Sequence, residues 1–189
     1  MANDCWNRVT ITGPDDALAA VAEFVRSDES EFDFERVLPT PEALYGTLVL
    51  TGPIDRGEWA LTREVEGQLR AIPEGERAAL RAQYGSDNWH DWHCERWGTK
   101  WNAYRATSLR SERALAYRFV TAWDPPTPVL EALARRFPAI RIRHQHATEE
   151  IGCAWYEGRY WFTQQITASA TFVISEQLEL YPHDEAAKA

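Results

Sequence analysis

No apolar run in this 189-residue sequence approaches the roughly 20 residues that a membrane-spanning helix requires, which sets aside an integral helical membrane protein. The opening, MANDCWNRVT, lacks the basic and apolar regions of a secretory signal, so a cytoplasmic setting is expected. The cysteines, Cys5, Cys94 and Cys153, are few, widely spaced and odd in number, which fits reduced thiols packed as small apolar groups better than a disulfide framework. There is no low-complexity tract and no internal repeat. A GxSxG elbow, a Walker-type loop, an HExxH motif and a dinucleotide fingerprint are all missing, so the standard nucleophile, phosphate-cradle, zincin and nucleotide-cofactor readings have no support. No cofactor is implied, and the motifs give no ground for assigning an enzyme.

What is present is an apolar and aromatic composition, 44% hydrophobic with nine tryptophans, which excludes a disordered chain and is enough for one compact unit. The net charge of -9 is unevenly spread: residues 1–95 carry -11, residues 96–143 carry +7 and residues 144–189 carry -5. The acidic ends would repel a polyanion and attract a basic partner, whereas the basic middle would do the opposite.

The chain opens as strand, helix, strand. Arg8–Thr12 alternates polar with apolar, Gly13-Pro14 breaks it, and Asp15 and Asp16 suit the positive end of a following helix whose Leu18, Val21 and Val25 share a face. Phe32 and Phe34 alternate in a second strand that Pro39 and Pro41 end. The pattern from Glu58 to Trp97 predicts helices interrupted at Pro73-Glu74-Gly75 and at Gly85-Ser86, with Ser86 or Asp87 capping the last and Gly98 terminating it in a left-handed conformation. Beyond Gly98 the period becomes two. Lys100–Thr107 and Ala114–Trp123 predict a hairpin around Ser108–Arg113, with Leu115, Tyr117, Phe119 and Trp123 on one face. Thr127 as cap and Pro128 as first residue open a helix, and strands follow at Ile140–His146, Gly152–Trp161 and Ile166–Ile174. The expectation is an α+β fold, helices on an antiparallel sheet, with residues 1–98 forming a strand-helix-strand and helical part, 99–175 the sheet part, and 183–189 a tail.

Particular strings carry a resemblance: Asn3-Asp4-Cys5-Trp6-Asn7-Arg8-Val9-Thr10-Ile11-Thr12-Gly13, then Trp97-Gly98-Thr99-Lys100-Trp101-Asn102-Ala103, then Thr121-Ala122-Trp123-Asp124-Pro125-Pro126. With the Phe32, Phe34, Pro39, Pro41 pattern and Glu149-Glu150-Ile151-Gly152, the chain resembles the Api-type family of phage, prophage and conjugative-plasmid proteins. The resemblance implies a ferredoxin-like C-terminal part and a mobile-element setting in a host cytoplasm. It carries no catalytic residue. The chain departs from the family at Trp155-Tyr156 and in its own run from Arg56 to Gly85.

Two histidine clusters invite a metal reading. His90 and Cys94, with His93 between, lie one helical turn apart, and His144 and His146 lie on one side of a strand with Ile140 and Ile142, near Glu149 and Glu150. Neither cluster shows the three or four converging ligands of a zinc site, so no metal is assigned, and a metal-dependent hydrolase is the least favoured function. The aromatics Trp89, Trp92, Trp97, Trp101, Tyr104, Trp123 and Trp155 read first as core, with Trp97 and Trp101 both expected to be buried, and second as a stacking platform for bases. The candidate binding residues are Lys100, Asn102, Tyr104, Arg105, Arg118, Arg141, Arg143, His144 and His146. Two functions compete. The leading expectation is a non-catalytic binding or inhibitor protein whose acidic stretches, residues 28–35 and 58–76, meet a basic protein of a host or rival element, the arginines being paired within the molecule. The alternative is single-stranded nucleic-acid binding through the arginine-rich sheet. The oligomeric state stays open.

Overall fold

The computed structural model describes the backbone of residues 3–51, 59–152 and 156–182, and side chains within 3–47, 61–147 and 161–177. Arg56, Cys153, Trp155, the tail 183–189 and the side chains of Glu149 and Glu150 lie outside the described residues. No helix among those described is long and apolar enough to cross a membrane.

Strand β1 (Asp4–Thr12) alternates in burial along its length: Cys5, Asn7, Val9 and Ile11 face inward, while Trp6, Arg8, Thr10 and Thr12 face the other way. Helix α1 (Asp15–Val25) follows Pro14 and buries the expected Leu18, Val21 and Val25. After a long insertion come β5 (Tyr104–Arg110), β6 (Ala114–Ala122), helix α5 (Thr127–Arg136) and β7 (Arg141–Gly152). These strands assemble in the order β5-β6-β1-β7, and β8 (Tyr156–Ile166) and β9 (Thr171–Pro182) extend the sheet to six strands. Every neighbouring pair is antiparallel. The architecture is therefore α+β, an antiparallel sheet with helices on it, and its first strand lies near the middle, between β6 and β7.

The insertion contains a short helix α2 (Phe34–Val37), a second, three-stranded sheet β2-β3-β4 (Thr47–Thr51, Trp59–Val65, Gln68–Ala71), and helices α3 (Glu74–Tyr84) and α4 (Trp89–Arg96). Two expectations fail here. The segment around Phe32 and Phe34 is not a strand: Asp33 accepts a hydrogen bond from the Glu35 N–H and starts a helical turn instead. Residues 59–71 are a hairpin and not a helix. Glu66 and Gly67 both take positive φ, +53° and +77°, which is the two-residue turn a twisted hairpin favours, and the helix-forming Ala, Leu, Glu and Arg around them disguised it.

The helix boundaries are local events. Gly85, with φ +85°, ends α3, and Asn88, rather than Ser86 or Asp87, caps α4 by accepting from the Asp91 N–H at 2.9 Å. Asp87 serves a different purpose: it is buried and takes Arg77 Nε at 3.0 Å together with an Arg81 N–H. Burial raises its pKa, but hydrogen bonds from Asn88, Arg77 and Arg81 outweigh that and hold the carboxyl below its usual range. Thr127 does not cap α5 either, because its hydroxyl accepts from Gln164 Nε2 at 2.9 Å. The hairpin turn before β6 is shorter than expected, and the strand expected at 166–174 is split by a turn at residues 167–170 before β9 begins.

One apolar cluster joins the inward face of the sheet to α1, α2, α3, α4 and α5. Phe32 and Phe34 sit at its centre, edge-on to each other, with Phe32 stacked on Phe119 at 5.2 Å between centroids. Trp97 joins the insertion to this core. It is 1% exposed, packs edge-on to Phe34, stacks on His93 at 3.7 Å, and donates Nε1–H to the Leu38 carbonyl at 2.8 Å. Gly98 follows at φ +79°, where a Cβ would come within 2.8 Å of Pro128 and 2.9 Å of the Pro125 carbonyl. Trp101, expected to be buried beside Trp97, is 43% exposed, because the turn after Gly98 directs it outward. Trp97→Ala should lower stability by about 3–5 kcal/mol through the lost ring and the cavity left behind, measured by denaturant unfolding against wild type.

Candidate functional site

Because α1 to α5 gather on one face of the sheet, no described helix covers the other. That face is open at Arg8, Thr12, Arg118, Arg141 and Arg143 and buried at Val120, Ala147 and Trp161, and strand parity and register determine what it carries. Arg8 of β1 stands directly opposite Arg118 of β6, Thr10 opposite Arg143 of β7, and Thr12 opposite Arg141. All four arginines are exposed. Two like charges paired across a strand destabilise a sheet modestly, so the Arg8–Arg118 pair is a feature folding does not need. A fifth arginine, Arg105, joins them from the edge strand through a bulge between Tyr104 and Thr107, with φ +54°, a conformation uncommon for a residue with a side chain. Arg8, Arg105 and Arg118 line a cavity of about 250 Å³ together with Trp6, Val120 and Trp161. The Arg8 guanidinium lies 3.9 Å over the Trp161 ring.

The acids that were expected to neutralise these arginines do so at one position. Arg105 pairs with Asp4 at 3.7 Å, both groups partly solvated, while Arg8, Arg118, Arg141 and Arg143 make no ion pair among the described residues. Elsewhere the acids find local partners: Glu31 with Arg26, Glu76 with Arg63, Glu74 with Arg77 and Arg81, and Asp15 with Arg110. Tyr104 donates to Asp4 Oδ1 at 2.6 Å; burial and that carboxylate push its phenol above the ordinary range.

The remaining candidates divide. Lys100 lies in the segment between α4 and β5, its ammonium 4.9 Å from the Trp101 ring and 5.5 Å from the Trp123 ring. Trp123 does not continue the inward row of Leu115, Tyr117 and Phe119: a φ of +68° turns it outward, and it is 41% exposed. Asn102 is architectural. Its Oδ1 accepts from the Phe34 N–H and its Nδ2 donates to Asp33, tying the start of α2 to the segment before β5. His144 is fully buried on the inward face and bonded at both ring nitrogens: Nε2 donates to Asn7 Oδ1 at 2.9 Å and Nδ1 accepts from Gln164 Nε2 at 2.8 Å. Asn7 continues the chain to the Thr121 hydroxyl. His146 stacks on Phe162 on that same inward face. Neither histidine reaches the open face, because strand parity sends both into the core. His90 pairs with Asp91, His93 is held between Thr40 and the Lys100 carbonyl, and Cys94 is exposed. No three metal-capable side chains converge among the described residues. Burial pushes the Cys5 thiol up to about 12, and both Cys5 and Cys94 are free thiols.

Comparison with known proteins places this geometry. Residues 96–188 match the family model described as the ferredoxin-like domain in Api92-like protein. A crystal structure of protein api92 from Yersinia pseudotuberculosis superposes with a TM-score of 0.50 at 13% identity, covering 93% of this chain and 99% of that one, which shows a shared fold. No curated protein matches. The matched residues contribute β5, β6, α5, β7, β8 and β9, and β1, from outside the match, lies between β6 and β7 in the same sheet.

Of the residues lining the cavity, Trp6, Arg8 and Trp161 were not among the sequence candidates. The alternation in β1 does signal Arg8, since Val9 and Ile11 must face the core and their neighbours must not. Nothing local to Trp161 indicates that it meets Arg8, because β8 reaches β1 only across β7.

The buried histidines set a pH dependence. Burial holds His144 well below the ordinary value of 6.5 and also lowers His146. The unfolded chain therefore takes up these protons first on acidification, so stability is present above the ordinary histidine value and declines as pH falls through it towards the folded-state values. Unfolding measured from about pH 7 to about pH 5 should show this loss, and His144→Asn, though less stable at pH 7, should show a flatter slope.

Proposed function

We propose that the protein binds single-stranded nucleic acid across the open face of its six-stranded sheet. The observation that carries this reading is the group of exposed arginines, Arg8, Arg118, Arg141 and Arg143, standing without acid partners among the described residues on one face of the sheet, beside the half-buried Trp6. Guanidinium groups meet phosphates in a fixed bidentate geometry, and aromatic side chains accept any base by stacking. A sheet face that no described helix covers offers both to an extended strand with splayed bases, which a duplex does not present. The overall charge of -9 does not oppose this locally, because the stretch that supplies most of the face, residues 96–143, carries +7. In the setting that the resemblance implies, the bound strand would belong to a phage, a plasmid or its host.

A protein partner is the second reading. The acidic stretches that first suggested it are largely engaged: Glu31 and Ser108, Asp33 and Asn102, and Glu35 with Thr40 and Tyr45 are hydrogen-bonded pairs. What favours it is the edge strand β9, which exposes Phe172, Val173 and Ile174 in succession.

Fluorescence anisotropy with a labelled, unstructured oligonucleotide tests the first reading. Affinity should fall steeply with salt, by a slope of about -0.7 for each phosphate contacted, and Arg118→Glu should weaken binding at least about tenfold while reducing that slope. Absence of binding at low salt, or binding indifferent to both Arg118→Glu and Arg143→Glu, would leave the protein-partner reading in its place.

A further inference from the structure

We infer that Trp101 and Trp123 form a base-stacking site at the joined turns after Gly98 and Ala122, with Lys100 as its cation; this rests on the nucleic-acid reading and adds to it a position where bases, rather than phosphates, are held. Trp92, Trp97 and Trp161 are buried, so the exposure of Trp101 and Trp123, 43% and 41%, is not the general condition of the tryptophans described. Both rings approach the same nitrogen, Lys100 Nζ, at 4.9 and 5.5 Å. The ammonium therefore occupies the space the two rings border, and on release it is within a side chain's reach of a strand lying there.

The rings are carried by two turns that are fastened to each other. Thr99 donates its hydroxyl hydrogen to the Ala122 carbonyl at 2.9 Å, directly joining the residue before Lys100 to the residue before Trp123. On one side the Lys100 carbonyl accepts from His93 Nδ1, and Gly98 is wedged against Pro125 and Pro128. On the other, the Trp123 N–H donates to the Asn3 carbonyl, the Asp124 N–H donates to the Ala122 carbonyl, and the Thr121 hydroxyl donates to the Asp124 carbonyl. These bonds hold Trp123 at φ +68°, in a region of backbone space that costs energy for a residue with a side chain. The consequence is an exposed ring at a position where a relaxed strand would have turned it inward with Phe119.

The end of β6 that carries Trp123 lies beside Asp4 and Arg105. Ala122, the last residue of β6, pairs with Asp4, whose carboxylate takes the Tyr104 hydroxyl and the Arg105 guanidinium. Asp4 and Asp124 also place negative charge at this end, which disfavours a phosphate there and leaves base stacking as the attraction the rings can supply.

The test uses the full chain and two probes of equal length, an unstructured pyrimidine oligonucleotide and the same backbone with abasic residues. Trp101→Ala and Trp123→Ala should each weaken the pyrimidine strand about tenfold, leave the abasic strand unchanged and leave the salt slope unchanged. Trp101→Phe should retain most of the binding, and matching circular dichroism would show that the variants fold. Arg118→Glu should weaken both probes. If Arg118→Glu acts and the tryptophan variants do not, or if they weaken both probes equally, the stacking site is wrong and the arginine face stands. If the tryptophan variants act and Arg118→Glu does not, the arginine face is wrong. If neither probe binds, both are wrong. Quenching of wild-type tryptophan fluorescence by tetramethylammonium at lower concentration than by the oligonucleotide would mark the rings as a cation cage displacing Lys100, and would overturn base stacking.

Discussion

The antiparallel registry of β1 with β6 on one edge and β7 on the other governs most of what the protein presents to its surroundings. A strand bonded on both sides cannot slip by one residue without exchanging its two faces. Here one face carries Val9 and Ile11 into the apolar cluster and the other carries Arg8 outward. The register that buries the aliphatic residues is therefore the same one that sets Arg8 against Arg118. An exposed guanidinium pair is a direct consequence of a satisfied core.

Polar groups on the inward face reinforce that registry. Asn7 of β1, Thr121 of β6, His144 of β7 and Gln164 of β8 come from four strands and are joined by hydrogen bonds between side chains, ending on Thr127 of α5. Such a chain tolerates no alternative alignment, because a shifted strand would leave buried donors and acceptors unpaired at a cost of about 1–3 kcal/mol each. The insertion is held by a comparable set of contacts around Trp97, His93 and Asn102, which fasten α2 and α4 to the sheet.

The electrostatics separate along the same division. In the inserted segment acids and arginines neutralise one another over short distances, as in the cluster of Glu74, Arg77, Arg81 and Asp87. On the open face the arginines come from β1, β5, β6 and β7, and a single acid, Asp4, contacts one of them among the described residues. A chain with net charge -9 thus groups exposed arginines on the sheet face that no described helix covers. The protein-binding expectation drew on acidic stretches seen in the linear sequence, whereas folding commits several of those acids to internal partners.

Local pattern was sufficient for a large part of the fold. The alternation in β1 and β6, the apolar stripe of α1, the stop at Gly98, and the helix after Pro126 are each determined by residues within a turn or two of one another, and they appear as the sequence indicates apart from the outward turn of Trp123 and the start of α5 at Thr127. The resemblance implied a ferredoxin-like C-terminal part, and residues 96–188 match the model of such a domain. The 59–71 hairpin was hidden because a run rich in helix formers was overruled by a two-residue Glu66-Gly67 turn and by pairing with β2. Tertiary structure alone decided the rest. It placed the first strand near the centre of the sheet, directed Trp101 and Trp123 outward, and brought Arg8, Arg105, Arg118 and Trp161 around one cavity, whereas the inward side of His144 and His146 followed from their sharing a parity with Ile140 and Ile142. Alternation tells which residues of a strand share a side, but which side is covered and which strands are neighbours depend on contacts between residues as far apart as Asn7 and His144, and those are chosen by burial and pairing across the whole chain.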